Sequence, residues 1–167
     1  MERILDVAAY IVKQYKTLTG DTLDEMKLHK LLYCTQRESF AILDEPAFEG
    51  EMEGWKYGPV SREVRSEYYN GEILAPTRGI SDRVAYIVNN VILEYGALAS
   101  WKLSQLSHRE IAWQNARKGL SPQENGSVPL KLEDIREDAK KVRPYDHVWD
   151  MYYDEMEDCA PEEGGSV

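Results

Sequence analysis

The chain has 167 residues, 43% of them hydrophobic, with four Trp, eleven Tyr and two Phe, enough to bury one core but hardly two. Its net charge is −10; removing the six acids of residues 154–167 leaves residues 1–153 with 24 acids against 20 bases, a net of −4, and no clustered Lys/Arg run. That balance excludes a free-standing nucleic-acid binder and fits a protein partner, a basic one included.

Ile4, Val7, Ala8, Ile11, Val12 and Tyr15 follow helical spacing, so residues 2–17 read as an amphipathic helix stopping near Gly20. Thr22-Leu23-Asp24-Glu25 has the form of a capping box. It introduces a long second helix with Leu28, Leu31, Leu32, Thr35, Ser39 and Ile42 on one stripe, ending before Pro46. Residues 47–58 alternate apolar and polar residues among glycines and read as extended or looped. Pro59 is placed like a first helical residue, with Val60, Val64 and Tyr68 behind it and Asn70-Gly71 closing the turn.

Ser81 is positioned to cap a helix carrying Val84, Ile87, Val88, Val91, Ile92 and Tyr95, stopped by Gly96. Ser100–Leu106 reads as a short helix. Ser107-His108-Arg109-Glu110 has the form of a second capping box, opening a helix through Ile111, Trp113 and Ala116. Residues 121–129 read as a loop, and Leu132, Ile135, Ala139 and Val142 as a weaker helix broken by Pro144. Tyr145–Tyr153 adds a last short aromatic helix, and Asp154–Val167, with six acids and no base, reads as a disordered tail. The expectation is a mainly α, single compact domain of about six to eight helices over residues 1–153. It has at most a short extended or hairpin segment near 47–57, and residues 154–167 are the acidic tail.

Cys34 and Cys159 have no paired spacing for a disulfide or zinc knuckle, which fits a reducing cytoplasm. No apolar run approaches a membrane span, the N-terminus lacks a signal-peptide pattern, and the sequon at Asn125 carries no weight without secretion. His29, His108 and His147 stand singly, without metal-ligand spacing, so no metal and no cofactor is expected. No nucleophile elbow or phosphate-binding glycine loop occurs.

Three segments stand apart: Lys27-Leu28-His29-Lys30-Leu31-Leu32-Tyr33, Gly54-Trp55-Lys56-Tyr57-Gly58-Pro59-Val60 and Leu106-Ser107-His108-Arg109-Glu110-Ile111-Ala112-Trp113. Lys27, His29 and Lys30 read first as a solvated face with lysine stems lying over the core. Trp55 reads either as a core plug at a structural corner or, with Lys56 and Tyr57, as an interaction hot spot. His108 and Glu110 read first as first-turn residues of a capped helix.

In this order the segments resemble the SocA-like, or Panacea, antitoxin domain of bacterial and prophage genomes. Its pattern runs near Lys-Leu-x-Lys-Leu-Leu-Tyr, Ala-Trp-x-Tyr-Gly-Pro-Val and Leu-Thr-His-x-Glu-x-Pro-Trp. The present chain departs from it at Gly54, Ser107 and Ala112. The resemblance spans about residues 5–153. It implies a helical module that neutralises a cognate toxin by direct binding, without catalytic residues, and for some relatives delivery of the toxin to a protease. The partner-binding candidates are Trp55, Lys56, Tyr57, His29, Lys30, His108, Trp113 and Arg117. A small hydrolase-type activity around His108 and Glu110 is the remaining alternative.

Overall fold

A computed structural model describes residues 1–142, so the expected last helix at 145–153, the acidic tail, His147 and Cys159 lie outside the described residues. Seven helices are described: α1 (Ile4–Thr19), α2 (Glu25–Leu43), α3 (Arg62–Glu67), α4 (Asp82–Tyr95), α5 (Ser100–Ser107), α6 (Ile111–Ala116) and α7 (Leu132–Ala139). Six short strands form three two-stranded pairings: β1 (Glu2–Arg3) parallel to β2 (Phe48–Glu49), and hairpins β3 (Glu53–Trp55)/β4 (Gly58–Val60) and β5 (Tyr68–Tyr69)/β6 (Glu72–Ile73). The fold is the mainly α single domain the periodicity implies.

Helix α2 is the axis. Thirteen of its nineteen residues are buried, because α1, α4, α5, α7 and β4 all pack against it. Leu28, Leu31 and Leu32 lie at the centre with Val7, Ile11, Ile87, Val88 and Val91 of α1 and α4. Burying such side chains contributes about 1.5–3 kcal/mol each before the entropy of ordering them is set against it.

Between Lys27 and Phe40 every residue but Arg37 is buried, and this overturns the solvated-face reading of Lys27, His29 and Lys30. Lys27 reaches inward: its Nζ donates to the Gly96 carbonyl at the C-terminal end of α4 (2.9 Å) and to Tyr15 Oη (3.3 Å). The cation thereby satisfies a helix-end carbonyl.

The element boundaries correct the sequence reading in three places. The N-cap of α2 is Asp24, whose carboxylate accepts from the Lys27 amide (2.8 Å), so Thr22 heads no capping box. Pro59 lies in β4, opposite Gly54; α3 starts two residues after Val60, with Ser61 Oγ accepting from the Val64 amide. Asn70-Gly71 is the two-residue turn of the β5/β6 hairpin, with φ of 53° and 89° as a type I′ turn requires. The Ser81 cap of α4 is as expected.

The third correction is the second capping box. Ser107 ends α5, His108 is its C-cap and Glu110 precedes α6 without capping it. The free amides of α6 are met instead by a residue from α7. Asp138 Oδ1 accepts from the Ile111 amide (2.8 Å), and Oδ2 from the Ala112 amide (2.9 Å) and the Tyr33 hydroxyl (3.0 Å). Glu110 is buried as the partner of Arg37 and of Lys141 (2.5 Å).

Candidate functional site

The three distinctive segments meet in space around the β3/β4 hairpin. Its two-residue tip, Lys56-Tyr57, projects from the body. Tyr57 is 55% exposed and Lys56 is half-buried, its Nζ 5.2 Å from the Tyr57 ring centroid. Trp55 does not plug the core. It is half-buried, its indole donates to Glu53 Oε1 (2.8 Å), and the guanidinium groups of Arg62 and Arg65 lie 5.2 and 5.4 Å from its ring. The indole is held as a fixed, partly open aromatic face, with Arg62 anchored on Glu53 (2.9 Å).

The third segment braces the hairpin from behind. Trp113 Nε1 donates to the Trp55 carbonyl (2.7 Å), and Ser104 Oγ of α5 to the Tyr57 carbonyl (2.7 Å). The His108 ring stacks on Trp113 with centroids 4.2 Å apart, and its burial lowers its basicity. Arg117, 7% exposed, gives its guanidinium to three backbone carbonyls, Gly54 (3.1 Å), Ser121 (3.1 Å) and Glu124 (2.5 Å). The Ser121–Pro129 loop is thereby drawn onto β3: Gly54 N–H donates to the Val128 carbonyl, and Leu130 N–H to that of Met52. Gly126 permits this approach, since a Cβ there would sit 2.4 Å from the Gly54 oxygen.

In front of these braces, a groove of about 590 Å³ runs between the start of α2 and the hairpin. His29, Lys30, Trp55, Lys56 and Tyr57 line it, with Glu25, Met26, Val60, Arg65, Gln123 and Asn125. His29 is 2% exposed; the Ser61 amide donates to its Nδ1 (3.3 Å), which puts the neutral ring's proton on Nε2, facing Glu25 Oε2 (3.1 Å). Burial outweighs the help from Glu25 and lowers the His29 pKa to about 4, so the ring is neutral at pH 7. Lys30 is 3% exposed, with its pKa lowered to about 8 by burial.

The eight residues expected from the sequence therefore fall into two groups. Trp55, Lys56, Tyr57, His29 and Lys30 line the groove, while Trp113, His108 and Arg117 sit behind it as supports of the hairpin backbone. Sequence reasoning missed Glu25 and Arg65, joined at 2.9 Å across the groove, and the contribution of the 121–129 loop. The described residues hold no group of three or more His, Cys, Asp and Glu placed to hold a metal ion. None of their helices is long and apolar enough to cross a membrane.

The family described as antitoxin SocA-like, Panacea domain, matches residues 28–114, just over half of the chain. The chain belongs to this family. The match is shorter than the span of about 5–153 inferred from the motifs, but it runs from the groove-lining start of α2 through the hairpin to Trp113 and Gln114 of α6. No curated protein and no solved structure matches the chain. Membership gives an antitoxin role in general terms and a toxin as the kind of partner.

Proposed function

We propose that this SocA-like protein is a cytoplasmic antitoxin that neutralises a protein toxin by binding it directly and stoichiometrically, without catalysis, through the hairpin and its groove. The observation that carries this reading is the construction of the hairpin. An exposed Tyr beside a Lys and a cation-stacked Trp is held by four backbone hydrogen bonds from α5, α6 and the residue that follows it, and the 121–129 loop. Aromatic anchors on a rigid support lose little entropy on binding, which is the usual makeup of an interface hot spot. The net charge of −10 adds long-range attraction for a basic toxin.

The test is to express the gene adjacent to this one alone and then with this chain, followed by co-purification. Growth arrest, relieved by this chain in an equimolar complex, is the expected result. In that complex Trp55→Ala and Tyr57→Ala each weaken binding by more than about 2 kcal/mol. Unchanged affinity in variants that retain the wild-type circular dichroism would remove the site assignment.

The sequence favours one further role. If the acidic residues 154–167 form a separate tail that tethers a protease, their deletion leaves the toxin bound but lengthens its half-life. Equal half-lives with and without the segment would eliminate delivery to proteolysis.

A further inference from the structure

Lys30 is the most deeply buried cation of the groove. The residue is 3% exposed, yet among the described residues its ammonium group has no hydrogen bond and no ion pair. A lysine buried to this degree ordinarily has a carboxylate or a carbonyl to satisfy it, as Lys27 one turn earlier has Gly96. The space around Lys30 is deliberate in geometry: Gly58, at φ 124°, passes so close that a Cβ would meet Lys30 Cε at 2.7 Å and Nζ at 2.9 Å. The amine is thus seated against the backbone of the hairpin that carries Trp55 and Tyr57.

The charge of the groove points the same way. It has three cations, Lys30, Lys56 and Arg65, and one carboxylate, Glu25, already engaged by Arg65 and His29. In a chain of net charge −10 this is a local cationic site with aromatic walls. An incoming oxyanion would complete the coordination of Lys30 against the buried wall formed with His29, where a charge-assisted hydrogen bond is stronger than in open water.

We propose that Lys30 is a carboxylate receptor, and, resting on the antitoxin reading above, that the carboxylate is an Asp or Glu side chain or the C-terminus of the toxin. The toxin surface that docks here is then locally acidic, whatever its overall charge.

The anion site can be tested without the toxin. The full chain, labelled with ε-13C lysine, is titrated through pH 6–10 in sodium chloride, sodium acetate and sodium phosphate at one ionic strength, following Lys30 and the Trp55 indole by NMR. Acetate is expected to raise the Lys30 midpoint by about one unit relative to chloride, the signature of ten-fold preference for the charged amine. It also shifts the Trp55 resonance saturably, and Lys30→Met abolishes that shift. Equal midpoints in all three salts overturn the proposal, and a response to phosphate alone overturns the carboxylate assignment. Lys30→Met replaces a buried charge by an apolar isostere and is expected to fold with an unchanged or higher Tm. Lys30→Met weakens the toxin complex at least ten-fold; an unaltered complex overturns the toxin carboxylate. Acetate binding in a chain that forms no complex with any toxin separates the two ideas, upholding the receptor and removing the antitoxin reading.

Discussion

Asp138→Ala is the most informative stability perturbation. Asp138 is fully buried and accepts three hydrogen bonds, from the Ile111 and Ala112 amides and the Tyr33 hydroxyl. It is the only side-chain cap α6 has among the described residues. Leaving a buried donor without an acceptor costs about 1–3 kcal/mol, and with partial rescue by water the three together come to about 3–5 kcal/mol. Against a typical stability of about 5–15 kcal/mol this is a large fraction, and at roughly 2–4 °C per kcal/mol it lowers Tm by about 6–20 °C. Urea unfolding at pH 7, followed by far-UV circular dichroism, reads it directly. The double variant Asp138→Ala, Tyr33→Phe is expected to lose less than the sum of the two single losses, because Tyr33→Phe removes one of the orphaned donors. A loss below about 1 kcal/mol for Asp138→Ala, or strict additivity in the cycle, would refute a cap supplied in trans.

Two buried titrating groups give opposite pH slopes. Burial raises the Glu38 carboxyl to about 7, so between pH 4.5 and 7 the folded state holds a proton the unfolded chain has lost; stability therefore falls across that window by about 3 kcal/mol, and Glu38→Gln flattens it and stabilises the protein at pH 8 in urea melts. His29, lowered to about 4, binds its proton more weakly folded than unfolded. Stability therefore falls as pH drops from 6.5 to 4, by about 3 kcal/mol as an upper figure, and His29→Gln removes that part of the acid limb. Arg117→Met strips the hairpin and the 121–129 loop of three carbonyl contacts. It is expected to increase amide hydrogen exchange at Gly54 and Leu130 and to weaken toxin binding more than ten-fold, although Arg117 itself does not line the groove.

Periodicity was sufficient where a helix has one wet face. Helices α1 and α4 show their buried stripes plainly, and the Ser81 cap is local in sequence, so each lies within a few residues of expectation. It misled at α2, whose polar residues are buried because five elements surround it; nothing in seven residues reveals whether Lys27 meets water or Gly96. The Ser107 box failed for the related reason that Asp138, 26 residues beyond Ala112, competes better for the α6 amides than the local Ser does. Pro59 illustrates the ambiguity of a single cue. Its fixed φ suits either a first helical turn or a short edge strand, and the Gly54 pairing selects the strand. The candidate site was legible as three motifs, but their convergence on one hairpin is a tertiary fact.

That convergence has a cost in sequence freedom. A two-residue hairpin of three residues per strand is marginal alone in water, and here its exposed tip contributes little to its own stability. The order comes from elements distant in sequence: Ser104 of α5, Trp113 of α6, Arg117 beyond it and the backbone of 128–130. Helix α6 is in turn fixed by Asp138 of α7, and Tyr33 of α2 closes the same carboxylate. The hairpin is therefore the end of a chain of contacts that starts in the core. If rigidity at Trp55-Lys56-Tyr57 serves binding, substitutions at Trp113, Arg117 and Asp138 reduce toxin affinity in proportion to the hydrogen-exchange rate they cause at Gly54. A set of variants in which affinity stays constant while that rate climbs would separate the scaffold from the function.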